Sequence, residues 1–339
     1  IAHFLSAPTD PRVISVVFST YQSLDIIGMA SREIKDFNFD YAAFDEAHRT
    51  AGMKVSGMFS YGLDNENIPI NKRLFMTATE KLIMPRVIEK VQKDNTEIEL
   101  FSMNDVEKYG NVFSRLNFGE AIKQNIISDY EIVIAAVKSS EIFDLIKRDP
   151  KLISKGLTPN KLATKAQSVF KQVLISKCYA DLDIKKTISF HSTVNQAKAF
   201  VFGSGSGDYE LNGFFEGIVP SFDDKDYYFD HVNGAMSAGA RRQILDEFER
   251  SPRSLVSNAQ CLTEGVNLPK VDCIYFVDSK HSMIDIIQAC GRALRKSRDG
   301  ISKDVAYFVV PVLIDDSVSE EEYINAQDFS TLHNIIQAL

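Results

Sequence analysis

The sequence predicts an α/β protein of two tandem domains, each built on a parallel sheet. Three observations point there: a length of 339 residues, short apolar runs that alternate with amphipathic stretches, and polar residues that end one run after another. At about 150 residues per domain, the length suits two domains, each able to bury a core. The alternation is the rhythm of βαβ units, whose strands are covered on both faces.

A first series of runs reads as strands at Val13-Ile-Ser-Val-Val-Phe18, Phe39-Asp-Tyr-Ala-Ala-Phe44 and Arg73-Leu-Phe-Met76. They end in Ser19-Thr20, Asp45-Glu46 and Thr77-Ala-Thr79. In open α/β sheets ligand chemistry sits just past the carboxyl ends of strands, so these clusters are expected on one edge. A second series follows at Lys186–Phe190 (leading to His191-Ser-Thr193), Arg253–Ser257, Cys273–Val277 and Asp304–Val310, the last stopped by Pro311. Helical stretches lie between, at Ala240–Arg250 and Met283–Leu294. The less regular segment Asn95–Lys138 links the two series, which sets a boundary near residue 125. The expected organisation is therefore a first domain at 1–125, a second at 126–314, and the start of a further region at 315–339. Gly203-Ser-Gly-Ser-Gly207 reads as a flexible insertion, because no Lys-Ser/Thr pair follows to hold a phosphate.

Bulk composition narrows the classes. Apolar content of 45% and charged content of 25% are those of an ordinary soluble protein. A net charge of −8 argues against a passive basic module held to DNA by charge alone, yet leaves room for local basic clusters. Cys178, Cys261, Cys273 and Cys290 are far apart, which suits buried thiols in a reducing cytoplasm rather than a zinc site. No apolar run is long enough to span a membrane, and no signal peptide opens the chain. The first residue is Ile1, not Met, which reads as the interior of a larger protein.

Asp45-Glu46-Ala47-His48 carries the sharpest chemistry. Hydrolysis of a nucleoside triphosphate needs one carboxylate near Mg²⁺ and a second group to orient or deprotonate water. Adjacent acids at a strand end can divide those roles, Asp45 at the metal and Glu46 at the water. The bland reading, a solvated acidic turn, suits an isolated acid pair better than this tetrapeptide behind a strand. Thr77-Ala78-Thr79 could relay hydrogen bonds, although hydroxyl residues at strand ends more often just cap turns. On one helix, Gln288, Arg292 and Arg295 fall at i, i+4 and i+7 and share a face. Guanidinium groups there suit a polyphosphate. The bland alternative is a surface helix with ordinary cations. Gly291, costly in mid-helix, argues instead for close approach. Thr263-Glu264-Gly265-Val266-Asn267 is by itself a turn whose glycine could bring backbone near a ligand.

In this order the pieces resemble superfamily 2 helicases and translocases across about residues 13 to 310. Thr20-Tyr-Gln-Ser23 resembles the strand-contacting motif ahead of the acidic box, Asp45–His48 motif II, and Thr77–Thr79 motif III. Ile188–Thr193 resembles motif IV, Thr263–Asn267 motif V, and Gln288–Arg295 motif VI. The wording of Asp45–Thr50, Arg73–Thr79 and Asp285–Arg292 is similar to single-chain type I-like (type ISP) restriction enzymes. The resemblance implies two RecA-like domains, ATP and Mg²⁺ as cofactors, and DNA as partner, with RNA also compatible. It implies that Asp45 holds Mg²⁺, Glu46 is the base, and His48 and Gln288 sense the nucleotide. Gly265 and Asn267 would touch nucleotide, and Arg292 and Arg295 the γ-phosphate, with Arg295 as arginine finger. Thr20, Gln22, Ser192, Thr193 and Thr263 would line the nucleic-acid track, and Thr77 and Thr79 would couple hydrolysis to movement. Nuclease or methyltransferase domains would belong to the same full-length chain.

Two departures stand out. No Gly-x-Gly-Lys-Ser/Thr loop occurs in the chain, and Asn267 stands where the subgroup has Asp. In the family that loop lies upstream of the matching region, so the first domain is expected to be truncated at its N-terminus and the isolated chain inactive. The alternative is a non-catalytic motor remnant that binds nucleic acid without hydrolysis.

Overall fold

The computed structural model describes residues 1–6, 12–53, 59–94, 100–148, 159–203, 210–220, 222–259, 270–278, 283–296 and 305–316. The chain divides into two compact units, 1–115 and 116–339.

In the first unit, β1 (Ala42–Phe44) pairs in parallel with β3 (Arg73–Phe75), and an isolated bridge joins Phe39 to Ile70. A short antiparallel pair joins β2 (Gly52–Met53) to β4 (Leu100–Phe101). Ile27, Phe44, Ala47, Ile68 and Ile70 form the core. The helix Leu24–Arg32 supplies Ile27 and buries Gly28 beside it. A Cβ at Gly28 would lie 2.5 Å from the Asn67 carbonyl oxygen, so only glycine lets that chain approach. Arg73 is structural: its guanidinium donates to Gly62 O at 2.8 Å and Asn65 Oδ1 at 2.7 Å. Burial lowers its pKa.

Val13–Phe18, expected as a buried strand, pairs with no strand among the described residues. Ile14 and Phe18 are 89% and 93% exposed, and only Val17 packs against the core. An apolar run becomes a parallel strand only when a neighbour supplies the ladder.

The second unit holds a six-stranded, all-parallel sheet in the order β5-β10-β9-β6-β8-β7. These strands are β5 (Asp129–Lys138), β6 (Lys186–Phe190), β7 (Tyr227–Asn233), β8 (Arg253–Ala259), β9 (Cys273–Phe276) and β10 (Val305–Ile314). Alternate residues feed opposite faces, as a pleated strand requires. Leu255, Tyr275 and Val309 join one core with Ile142, Val173, Phe200 and Phe215. Val256, Ile274 and Phe308 join the other with Phe248, Ile286, Cys290 and Leu294. Helices Ser139–Arg148, Pro159–Asp181, Val194–Phe202 and Leu211–Ile218 thus cover the first face, and Ala238–Arg250 and Met283–Ala293 the second.

Pro311 does not stop the last strand, which continues to Ile314. Pairing with β9 ends at Val309. Beyond it β10 is bonded on one side only, where a missing N–H is tolerated. Cys178, Cys273 and Cys290 are buried free thiols, and Cys261 lies outside the described residues. No helix among the described residues is long and apolar enough to cross a membrane.

Candidate functional site

β1 delivers Asp45 to its carboxyl end, where the side chain is exposed, and Glu46 follows half-buried. Glu46 is left-handed, with φ 49° and ψ 45°. For a residue with a Cβ that costs on the order of 1 kcal/mol, so the surroundings must hold it. The peptide joining the two acids is held at both ends. Tyr21 Oη–H donates to the Asp45 carbonyl oxygen at 2.6 Å, and the Glu46 N–H donates to Asp45 Oδ1 at 3.0 Å. The Tyr21 hydroxyl is pushed up to about 12 by burial, then by the Asp45 charge. Next, Ala47 N–H donates to Met76 O at 2.9 Å, which ties this turn to the end of β3.

His48, 7% exposed, reaches the end of β3. Its Nδ1 lies 3.0 Å from Thr77 Oγ1 and 3.4 Å from Glu46 Oε2. The Thr77 hydroxyl spends its proton on Thr79 O at 2.8 Å, so the network assigns the proton to His48 Nδ1, which donates to Thr77. Thr79 N–H also donates to Thr77 Oγ1, at 3.2 Å, while the Thr79 hydroxyl is buried without a hydrogen-bond partner among the described residues. The acid pair and the Thr-Ala-Thr turn are therefore brought together, and Tyr21 brings the Ser19-Thr20 cluster to the same edge. Thr20 and Gln22 are exposed, with Thr20 Oγ1 3.2 Å from Ser23 Oγ.

Sequence reasoning does not find Tyr21, Thr50 and Tyr109. Thr50 donates to Ala47 O at 2.7 Å and accepts from Tyr109 Oη at 3.0 Å, bracing the turn behind His48. An aromatic beside a polar motif is a signal for Tyr21 alone. Tyr109 lies 59 residues from Thr50, so local pattern carries no hint.

Among the described residues no group of three or more His, Cys, Asp or Glu is placed to hold a metal. Mg²⁺ at phosphate sites takes only one or two carboxylates from protein, the rest coming from phosphate and water. An exposed Asp45 with Glu46 beside it fits that share.

In the second unit, His191-Ser192-Thr193 follows β6. His191 is buried, with Nε2 3.0 Å from Ser189 Oγ. Ser192 is half-buried, and its N–H donates to Asp278 Oδ2 at 2.7 Å, while Lys171 Nζ binds Asp278 Oδ1 at 2.7 Å. Burial pushes the Asp278 carboxyl up, but the Lys171 bond, the Ser192 N–H and the nearby positive charges outweigh it and hold it below its usual value. Thr193 caps the helix Val194–Phe202: its hydroxyl accepts from Gln196 N–H at 3.3 Å and donates to Gln196 Oε1 at 2.8 Å. That is a side-chain N-cap, with the Gln196 amide oxygen holding the capping hydroxyl.

The shared helix face holds for Gln288 and Arg292 only. The helix ends at Ala293, and Arg295 lies beyond it, exposed, in a bridge with Ile127. Ser128 N–H donates to the Leu294 carbonyl oxygen at 2.9 Å, so the strand leading into β5 captures the backbone and ends the helix. Arg292 is 8% exposed and Gln288 half-buried. Gly291 does not mark a close approach among the described residues, since a Cβ there would meet nothing within 4 Å. Thr263, Gly265 and Asn267 lie outside the described residues.

The helix-covered parallel sheet of the second unit, and the acids and hydroxyls at neighbouring parallel strand ends in the first, fit α/β domains of RecA-like type. Residues 173–297 match the family described as "Helicase conserved C-terminal domain". A protein of African swine fever virus named as a probable helicase, from a Kenyan pig isolate, is 24% identical over 284 residues, which is 83% of this chain and 26% of the viral protein. Its counterpart in the Badajoz Vero-adapted strain matches to the same extent. Among solved structures, an ATP-dependent type ISP restriction-modification enzyme bound to DNA is 29% identical with a TM-score of 0.68, covering 95% of this chain and 21% of that one. The chain thus resembles superfamily 2 helicases, and it spans about a quarter of the length of the curated relatives it matches.

Proposed function

We propose that this chain is the motor portion of a longer ATP-driven enzyme that moves on DNA, nearest in kind to the translocating part of a restriction-modification enzyme. Supporting this is one observation above all: adjacent acids at the end of β1, joined through His48 to Thr77 at the end of β3. The structural relative is described as ATP-dependent and bound to DNA, which suits the same chemistry here.

ATP with Mg²⁺ supplies a charge-neutralised γ-phosphoryl group open to attack by water. With these bound, Asp45 would hold the metal's water shell and Glu46 would orient the attacking water and take its proton. His48, whose Nδ1 proton goes to Thr77, lies 3.4 Å from the Glu46 carboxylate and packs against it. The resemblance implies that Arg292 and Arg295 would offset charge on phosphoryl oxygens, with Gln288 as a further nucleotide contact. The resemblance implies that Gly265 and Asn267 would contact the nucleotide. Thr77 and Thr79 relay the change at Glu46 outward, while Thr20, Gln22, Ser192, Thr193 and Thr263 meet the nucleic-acid backbone with little sequence preference.

The 339 residues contain no Gly-Lys-Ser/Thr loop, so the isolated chain should show no measurable ATP hydrolysis. The test is DNA-stimulated ATP hydrolysis by the full-length protein and its Glu46→Gln variant. Turnover should collapse in the variant; equal turnover refutes the reading. The missing loop favours a second reading, a non-catalytic DNA-binding remnant, which a full-length protein that binds DNA without hydrolysing ATP would establish.

A further inference from the structure

We propose that Tyr21 is a positioning residue that links the exposed Thr20–Gln22 segment to the catalytic acid pair. It rests on the proposed reading for the roles of Thr20, Gln22 and Glu46; the linkage itself rests on geometry. Tyr21 opens a short turn, Tyr21–Ser23, which leads into the helix Leu24–Arg32. Its neighbours Thr20 and Gln22 are both exposed. Its ring points the other way, with centroids 6.3 Å from Phe44 and 5.8 Å from Phe59. Phe44 is the last residue of β1, so the ring leans on the strand that carries the acids.

Packing alone would be served as well by phenylalanine. The hydroxyl acts separately, donating to the Asp45 carbonyl oxygen at 2.6 Å. That carbonyl belongs to the Asp45–Glu46 peptide, whose N–H is already taken by Asp45 Oδ1 at 3.0 Å. Rotation of this peptide would carry Glu46 out of its left-handed conformation and swing its carboxylate away from His48. A left-handed glutamate relaxes unless something opposes it, and the Tyr21 bond opposes it directly. A backbone shift at Thr20–Gln22 is thus carried through one rigid ring to the peptide that aims the base. Nucleic acid on that segment would thereby steady Glu46.

The test compares wild type and Tyr21→Phe as full-length proteins. With saturating DNA, the variant's ATP turnover should fall about fivefold, the value of one well-made hydrogen bond. The DNA concentration giving half-maximal stimulation should move less than about twofold, because no DNA contact is lost. Placed on Glu46→Gln, the same change should cost nothing further, since the group it positions is gone. Amide hydrogen exchange gives a readout apart from activity. The Glu46 and Ala47 amides should exchange about fivefold faster in Tyr21→Phe, and DNA should slow them in wild type only. Unchanged turnover and exchange would overturn the linkage, as would a shift in DNA half-saturation alone or an equal loss on the Glu46→Gln background. A wild-type protein with no DNA-stimulated hydrolysis would sink the functional reading instead, and the exchange comparison without DNA would still decide whether Tyr21 holds the peptide.

Discussion

Asp278→Asn is the perturbation whose cost can be worked most directly from the structure. Asp278 accepts two charge-assisted bonds of 2.7 Å, from Lys171 Nζ and Ser192 N–H. Its side chain is 13% exposed and that of Lys171 26%, so solvent screens the pair only in part. Each such bond contributes about 1.5–3 kcal/mol. Asparagine keeps an oxygen for Ser192 but loses the charge, and the Lys171 ammonium is left beside a neutral amide. The expected loss is about 2 kcal/mol, measured by urea titration followed by far-ultraviolet circular dichroism. Adding Lys171→Met should recover part of it, because the stranded charge is then removed. A loss under about 0.5 kcal/mol would show that the pair is no stronger than a surface ion pair, and the anchoring of Ser192 would be refuted. The sign with pH follows from the depressed folded-state pKa. The contribution is present above the unfolded value, near about 4, and is lost as pH falls through the folded value. Asp278→Asn should flatten that acid limb.

His231 should add a second pH dependence: burial lowers its pKa, so the unfolded chain takes up the proton first and stability declines as pH falls below about 6.5. His231→Gln should remove that decline in urea titrations on either side of that pH. Phe215, fully buried against Tyr179 at 4.9 Å and Phe229 at 4.7 Å, should cost about 3–5 kcal/mol when cut to alanine, read by the same titration. Thr77→Val removes the acceptor for His48 and should slow DNA translocation, followed by triplex displacement, more than phosphate release; equal losses would deny Thr77 a coupling role.

Four of the six strands of the second unit, β6, β8, β9 and β10, are legible in the sequence as short runs with an apolar centre, whereas β7, only partly buried at the far edge, is not. β6 coincides with Lys186–Phe190, and β8 and β9 differ from expectation by a residue or two at their ends. β5 is harder to see: Asp129–Lys138 mixes charge with apolar residues because the strand lies at the sheet's edge and is only partly buried. Val13–Phe18 has the right composition but no ladder, a property of neighbours rather than of the run. Within the site, the convergence of Asp45-Glu46 with Thr77–Thr79 follows from two adjacent parallel strands. Arg295 leaves the shared helix face because periodicity cannot see a neighbouring segment ending the helix. Tyr109 acts across too great a sequence separation for any pattern to reveal.

The sheet of the second unit closes in an unusual order. β10 is the last described strand to leave the ribosome, yet it enters between β5 and β9, in register with β5 from Val305↔Asp129 to Ile314↔Lys138. The seam is then sewn by Ser139 Oγ donating to Ile314 O at 3.2 Å and Ser140 N–H to Asp316 at 2.8 Å. Until residue 305 has been synthesised, β5 and β9 each wait with an open side. A nascent or prematurely terminated chain therefore carries two adhesive edges where the finished molecule has none at that position. β5 cannot join the sheet before that strand emerges, and the vulnerability to misassembly lies in the interval before it arrives.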